Sequence, residues 1–179
     1  MMTPIRILLF CLLLGNAEAR SQPPASEYQV KAAFLFHFAQ FVEWPAYSYE
    51  SPGSPFIIGI LGQDPFGTYL DQLVKGELIH GRPIQVVRYR DVREVGNCHI
   101  LFINLRDVEK TQQAIESLKG KNILTVSDQE DFQKLGGIVK FFTDRQKIRF
   151  QINPDMAKAA SLNISSKLMR LAEVYHPTE

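Results

Sequence analysis

The side chains of this chain that could perform acid–base or nucleophilic chemistry are few and lie far apart in the sequence. Asp64, Asp128 and His99 could donate or accept protons, and Ser127 could act as a nucleophile. The sequence has no G-x-S-x-G elbow and no paired-carboxylate signature. Both aspartates stand where helix caps are expected, and His99 lies in an apolar strand, which favours a core histidine whose hydrogen bonds are satisfied. We therefore predict no catalytic residue.

Cysteine and histidine do not indicate a metal or redox site. Cys98 is the one cysteine left after a predicted signal peptide is removed, so we expect no intrachain disulfide. It begins an apolar run and is interpreted as a buried thiol rather than a redox group. The histidines fall on separate elements without ligand spacing: His37, His80, His99 and His176. Neither a metal nor a cofactor is expected.

Three basic side chains come together on a predicted hairpin. Lys140, Lys147 and Arg149 lie on its two strands and could bind an anion. Charges in this position also keep an exposed sheet edge from pairing with other chains. The sequence leaves both interpretations open.

The elements that position these residues alternate between short apolar strands and helices. Strands are expected at residues 56–61, 84–89, 98–103 and 122–126, and an antiparallel hairpin at residues 137–142 and 146–152 around Thr143, Asp144 and Arg145. Helices are expected from Ser26 to about Trp44, at residues 65–75, 107–118, 128–135 and 164–174, and after Pro154. We predict an α/β fold with a mostly parallel sheet flanked by helices on both faces and an antiparallel C-terminal hairpin toward one edge.

In such folds, ligands bind at the carboxyl ends of the parallel strands. Here that edge comprises residues 62–67, the segment after Ile103, and Ser127 with Asp128. The turn at residues 62–67 has glycine at both ends, but the sequence contains neither phosphate-binding motif, G-x-G-x-x-G or G-x-x-x-x-G-K-[ST]. We interpret it as a turn in which Asp64 caps the next helix and Pro65 takes the first helical position.

The first predicted helix is apolar around most of its circumference. One stripe comprises Val30, Phe34, Phe38 and Phe41, and Leu35, Phe36 and Val42 lie outside it. A helix of this kind is buried on more than one side. It either packs within its own core or also lines a subunit or partner interface, and the candidate residues are Phe34, Phe36, Phe38, Phe41 and Trp44.

Composition excludes a binder driven by overall charge. The chain has 179 residues, 45% of them hydrophobic, with 20 basic and 19 acidic side chains and a formal net charge of +1. No charge surplus exists to attract nucleic acid or an anionic membrane, so no nucleic-acid partner is expected. The length fits one folded domain.

The first nineteen residues read as a cleaved signal peptide. Arg6 precedes an apolar run at residues 7–14, which is too short to span a bilayer, and Ala17 and Ala19 supply the small-x-small cleavage pattern. We predict a signal peptide at residues 1–19, a single domain at residues 20–179, and export to the periplasm.

Eight segments carry a family resemblance. In order along the chain they are EYQVKAAFLFHFAQFVEWP, ILGQDPFG, IHGRPI, CHILFIN, ILTVSDQEDF, GGIVKFF, KIRFQIN and LNISSKLMRLA. Their order and spacing over residues 27–172 resemble the YfiR family of exported proteins. The resemblance implies a dimeric α/β protein of the periplasm that represses an inner-membrane diguanylate cyclase of the YfiN type, lowering cyclic di-GMP and biofilm formation. It implies no catalytic residue, and an outer-membrane lipoprotein or a small ligand is a further candidate partner.

Two functions of different classes follow. The first is a non-enzymatic repressor that binds the periplasmic domain of the cyclase. The second is a periplasmic receptor for a small ligand or cell-wall fragment that feeds a membrane sensor kinase or cyclase; a hydrolase comes third. For the first function, we expect the first helix to support the fold and a homodimer, and the C-terminal hairpin and last helix to contact the cyclase through Lys147, Arg149, Gln151, Lys167 and Arg170.

Overall fold

The structure is a computed structural model that describes residues 26–177. The signal peptide predicted at residues 1–19 lies outside the described residues. The helices are α1 (Glu27–Phe41), α2 (Thr68–Val74), α3 (Val108–Ser117), α4 (Pro154–Ala159) and α5 (Ser166–Met169). The strands are β1 (Val42–Glu43), β2 (Phe56–Gly62), β3 (Leu78–Ile79), β4 (Arg82–Tyr89), β5 (Ile100–Asn104), β6 (Leu124–Ser127), β7 (Val139–Asp144), β8 (Lys147–Ile152), β9 (Asn163–Ile164) and β10 (Glu173–Val174).

Eight strands form one sheet in the order β10-β8-β7-β6-β5-β2-β4-β3. The run from β4 through β2, β5 and β6 to β7 is parallel, and β10 is parallel to β8. The β7–β8 hairpin and the β3–β4 pair are antiparallel, and β1 and β9 form a separate antiparallel pair. The prediction of a mostly parallel sheet extended by an antiparallel hairpin is confirmed.

Successive residues of a strand point to opposite faces of the sheet, and here both sets are mostly apolar. Helices therefore cover both faces. On one face, Leu35 and Phe38 of α1 belong to a buried cluster with Ile58 and Phe102 of the sheet, together with residues of α2, α4 and α5. On the other face, α3 packs through Ile115 and its neighbours onto a second cluster that includes Leu101 and Ile103. Strands covered on both faces are the reason for the nearly continuous apolar runs.

The first helix is shorter than predicted. Ser26 and Gln29 form the expected capping box at its start. The helix ends at Phe41 rather than near Trp44, because Val42 is extended (φ −112°, ψ 140°) and pairs with Ile164 in the β1–β9 ladder. A tertiary strand pairing thus ends the helix before the proline does.

Asp64 does not cap the second helix. Its Oδ1 accepts hydrogen bonds from the backbone N–H groups of Phe66 (2.7 Å) and Gly67 (3.2 Å), which builds a turn. Helix α2 begins only at Thr68, after Gly67 at φ +54°. The predicted cap is therefore wrong, although the side chain does satisfy backbone donors of the turn.

The helix predicted after Asp128 is also absent from the described residues, since residues 130–136 form successive turns. The side chain of Asp128 accepts hydrogen bonds from Lys31 and Tyr28 of α1 and is not available as a cap. Ser127 instead binds the backbone of the following turn: its Oγ accepts a hydrogen bond from the N–H of Gln129 at 3.2 Å.

The hairpin turn consists of Arg145 and Gln146, with φ of 45° and 64°. Two consecutive left-handed residues are typical of a tight two-residue hairpin turn. Thr143 and Asp144, predicted as part of the turn, are ladder residues that pair with Ile148 and Lys147.

The prediction of a last helix at residues 164–174 is mostly wrong. Only α5 is helical, with Ser165 as its cap, and the flanking residues belong to β9 and β10. Pairing with β1 and β8 overrides the helical periodicity, and Leu171, expected on the apolar face, is 67% exposed. By contrast, the helices predicted at residues 107–118 and after Pro154 are present as α3 and α4, and the structure shows Asp107 and Asn153 as their caps.

Candidate functional site

The carboxyl edge of the parallel strands, where ligands were expected, is linked by hydrogen bonds between its own loops. The backbone N–H of Gln63 donates to the carbonyl of Asn104 (3.1 Å), and the Asn104 side chain donates to the carbonyl of Gln63 (2.9 Å). Gln129 donates to the carbonyl of Leu105. These bonds join the loops after β2, β5 and β6 to one another.

A buried ion cluster joins α1 to this edge. Lys31 is 2% exposed, and its Nζ lies 2.5 Å from Oε1 of Glu27 and 2.6 Å from Oδ2 of Asp128. The hydroxyl of Tyr28 also donates to Asp128 (3.2 Å), and the Tyr28 and Phe66 rings form a T-shaped pair with centroids 5.8 Å apart. Burial acts to lower the pKa of Lys31, but the hydrogen bonds to Asp128 and Glu27 outweigh it and raise this pKa. Lys31 is therefore a charged bridge between helix and sheet.

The sequence reasoning missed Lys31. The lysine stands in a helix that otherwise reads as apolar, with Glu27 four residues earlier. That spacing is the one available signal, and it is common on exposed helix faces. The burial of Lys31 becomes visible only in the structure, where Asp128, which follows β6, lies against it.

Asp64 belongs to a second ion cluster, with Arg88 and Asp71. Its Oδ2 lies 3.0 Å from Nε of Arg88, which also contacts Asp71 (2.5 Å) and the carbonyl of Gly67 (2.9 Å). The hydrogen bond from Arg88 lowers the pKa of Asp71. The cluster links the turn after β2 to α2 and β4.

The four candidate catalytic residues are not brought together. Asp64 and Asp128 follow the carboxyl ends of β2 and β6, whereas His99 precedes β5 at the opposite edge of the sheet. Ser127 is fully buried and donates to the carbonyl of Ile103 at 2.8 Å. No nucleophile–base pair is formed among these four side chains.

His99 lies in the core, as predicted, but its Nε2 has no hydrogen-bond partner within residues 26–177, so the expectation of a fully satisfied ring is wrong. Its ring stacks between Tyr49 and Phe56, with centroids 4.6 Å away on each side, and Nδ1 accepts a hydrogen bond from the N–H of Ile57 (3.0 Å). Burial, assisted by the charge of Arg82, lowers the pKa of His99 to about 4. The imidazole is therefore neutral at pH 7.

Cys98 is a buried thiol, also as predicted. Its Sγ lies 3.0 Å from the carbonyl oxygen of Ile100, to which it donates. Burial raises the pKa of this thiol to about 12, so it does not ionise to the reactive thiolate at neutral pH.

The basic side chains of the hairpin have partners within the chain. Arg149 lies 3.2 Å from both Asp144 of β7 and Glu173 of β10, and Lys140 donates to the carbonyl of Glu130 at 3.2 Å. Two carboxylates therefore contact the guanidinium of Arg149. Lys147 is exposed.

The remaining residues predicted to contact a partner differ in exposure. Gln151 is half-buried beside β10, whereas Lys167 and Arg170 are exposed on and just after α5. The chain continues directly into β10, which pairs with β8, so α5 and the hairpin belong to one C-terminal unit comprising β7, β8, α5 and β10.

The aromatic residues of the first helix divide into two groups. Phe38 (0% exposed) and Trp44 (8%) are in the core, and Phe34 packs against Phe150 with a centroid distance of 5.3 Å. Phe36 and Phe41 are partly buried, as Phe34 is, and all three pack against the core cluster. The rings of Phe36 and Phe41 lie beside the exposed side chain of His37.

Within residues 26–177, no helix combines the length and the apolar character needed to cross a membrane. The same residues contain no group of three or more His, Cys, Asp or Glu side chains that could hold a metal ion.

A family model described as YfiR/HmsC-like matches residues 28–173, which covers nearly all the described residues. No curated protein matches the chain.

Proposed function

This chain belongs to the YfiR/HmsC-like family of periplasmic regulators of cyclic di-GMP signalling, and from that membership we propose that it represses an inner-membrane diguanylate cyclase. It binds the periplasmic domain of the cyclase and holds the enzyme inactive, which lowers cyclic di-GMP and biofilm formation. The observation that carries this proposal is the family match over residues 28–173.

The side chains that could do chemistry support a binding role. Asp64 is held by Arg88, Asp128 by Lys31, and Ser127 by a backbone carbonyl. Each is committed to joining elements of the fold. In this proposal, the protein regulates its target by binding it through surface residues.

The C-terminal unit is the surface we assign to the cyclase. Lys167 and Arg170 are exposed and precede Leu171, which is 67% exposed, and Lys147 is exposed on the hairpin of the same unit. An apolar centre with a charged rim is typical of protein–protein interfaces, and the cations favour an acidic partner surface. Arg149 joins β7, β8 and β10 through two carboxylates, and with a side chain that is 42% exposed it remains part of the assigned contact surface.

The first helix provides the proposed homodimer contact. Phe36 and Phe41 are the partly buried aromatic residues on the side of α1 that carries exposed His37. Aromatic side chains that remain accessible on a folded domain are frequent at subunit interfaces. Phe38, in contrast, belongs to the core and supports the fold.

A capture experiment with membranes tests the proposal. Purified residues 20–179 are cross-linked to membranes of the source strain, and the captured proteins are identified by mass spectrometry. We expect a membrane protein with a diguanylate cyclase domain. The variant Lys167→Glu/Arg170→Glu should lose it, whereas Lys75→Glu/Lys110→Glu, which makes the same charge change at exposed positions beside α2 and on α3, should retain it. Recovery of a sensor kinase in place of the cyclase would contradict the proposal.

A further inference from the structure

A cavity of about 300 Å³ lies at the amino edge of the parallel strands, between the end of α3 and helix α4. None of its lining residues belongs to α1 or to the C-terminal unit. The apolar residues of the lining include Ile115, Leu118, Ile123, Ile138, Met156 and Ala160. A cavity of about 150 Å³ with walls of this kind takes up benzene, so the present one has room for an apolar body of roughly twice that volume.

The lining residues keep accessible surface, unlike the centre of the core. Ile115, Leu118 and Ile123 are each 4% exposed and Ala160 is 8% exposed, whereas Ile100 in the middle of the sheet is 0% exposed. Met156, in α4, is half-buried. This apolar surface is therefore open to a ligand that arrives from the solvent.

Three elements converge on Gly136, which forms part of one wall. A methyl group on its Cα would lie 3.4 Å from Cγ2 of Ile115 and 4.0 Å from Sδ of Met156, so side chains of α3 and α4 meet beside the loop that precedes β7. Gly136 has φ +98°, a conformation that favours glycine and keeps this wall free of a side chain. The thioether of methionine is flexible and polarizable, and it adapts to apolar ligands of different shape.

Polar groups around the cavity are engaged within the fold. Oγ1 of Thr125 accepts a hydrogen bond from the N–H of Ile138 (3.1 Å), and the side chain of Asn122 donates to the carbonyl of Ala160 (2.8 Å). The walls therefore offer apolar contact rather than hydrogen bonds. The part of a ligand that enters must itself be apolar, because a polar group placed there would lose its hydration without compensation.

The two charged residues of the lining are lysines, Lys119 and Lys121, which are exposed on either side of Gly120. Lys119 forms a surface ion pair with Glu116 (2.6 Å). Lys121 lies 3.5 Å from the carbonyl of Val95 and has no carboxylate partner within residues 26–177. A cationic rim beside an apolar cavity is complementary to a ligand with an anionic head and an apolar body.

We propose that this cavity binds a medium-chain fatty acid, with the hydrocarbon chain inside and the carboxylate at the rim beside Lys119 and Lys121. A carboxylate at the rim stays in contact with water, so no charge has to be buried. The affinity comes mainly from the methylene groups that leave the solvent. The inference goes beyond the proposed function and does not depend on it, because binding is measured on the isolated chain.

Methionine gives a local readout, because residues 20–179 contain two methionines, Met156 in the lining and Met169 on α5. Protein labelled with 13C in the methionine methyl groups is titrated with octanoate at pH 7. We expect the Met156 resonance to shift with a dissociation constant on the order of 1 mM, while the Met169 resonance stays in place. Hexanoate, whose chain is two methylenes shorter, should bind at least about fivefold more weakly.

Variants of the rim test the head group. Lys119→Gln/Lys121→Gln should weaken octanoate binding about fivefold. The matched control is Lys75→Gln/Lys110→Gln, which makes the same charge change at exposed positions outside the lining and should bind as the parent does.

Four results would overturn the proposal. The first is an unmoved Met156 resonance at about 10 mM octanoate, well above the expected dissociation constant. The second is equal binding of hexanoate and octanoate, and the third is undiminished binding by Lys119→Gln/Lys121→Gln. The fourth is a Met156 resonance that moves with protein concentration alone, since a second copy of the chain would then cover the cavity.

Discussion

Replacing Asp128 by alanine should destabilise the protein because it leaves the buried ammonium of Lys31 with one partner instead of two. Lys31 has a side-chain exposure of 3%, Asp128 of 22% and Glu27 of 51%. Breaking a fully buried ion pair costs about 3–5 kcal/mol, and an exposed one contributes less than about 1 kcal/mol. This pair lies between those limits and Glu27 remains, so we expect a loss of about 2–3 kcal/mol in the free energy of unfolding.

Urea unfolding followed by the fluorescence of Trp44 is a suitable assay, since this is the one tryptophan of the chain and it is buried. The loss corresponds to a decrease in melting temperature of roughly 5–10 °C for a domain of this size. Asp131→Ala is the matched control, because it removes an exposed partner of Lys134 from the loop after Asp128 and should leave the midpoint nearly unchanged.

A second variant checks the physical reason. Lys31→Met/Asp128→Ala removes both charges and keeps an apolar chain of similar length in the core, so it should recover much of the lost stability. Equal midpoints for Asp128→Ala and Asp131→Ala would refute the assignment of Lys31 as a buried bridge.

Two further predictions concern the core and the first helix. Because the pKa of His99 is lowered to about 4 from an ordinary 6.5, the unfolded chain binds an extra proton between these values, and stability should fall by about 2–3 kcal/mol as the pH drops from 6.5 to 4. Urea midpoints across this range should show a flatter profile for His99→Phe than for the parent, and parallel profiles would contradict the lowered pKa. Phe38→Ala should cost about 3–5 kcal/mol, since its side chain is fully buried. Phe36→Ala should cost less than half of that and should weaken the proposed homodimer in sedimentation velocity; loss of the fold on replacing Phe36 would show it to be a core residue.

The sheet and its flanking helices could be predicted because strands that are buried on both faces consist of continuous runs of apolar residues. The run Ile100–Asn104 is apolar at four consecutive positions, and all four are buried. Helices α3 and α4 could be predicted as well, because the residues that begin them, Asp107 and Asn153, act on backbone groups only two or three residues away.

Features that depend on distant partners could not be predicted. Helix α1 ends at Phe41 because Val42 pairs with Ile164, and the helical pattern near the C-terminus gives way to β10 because β8 offers a free edge. Asp128 and Lys31 are separated by almost a hundred residues, so local pattern assigned the aspartate to a cap. The cavity between α3 and α4 combines residues from separate parts of the chain, which no local spacing indicates.

The most direct test of the regulatory function is the cellular level of cyclic di-GMP in a strain that lacks this gene, measured by mass spectrometry under conditions in which the parent strain makes the protein. The level should rise on deletion. It should return to the parental value when the gene for the parent protein or for Lys75→Glu/Lys110→Glu is restored, and should stay high with Lys167→Glu/Arg170→Glu at equal protein abundance. An unchanged level of cyclic di-GMP in the deletion strain would contradict the repressor function, and full restoration by Lys167→Glu/Arg170→Glu would contradict the assignment of the C-terminal unit as the surface that contacts the cyclase.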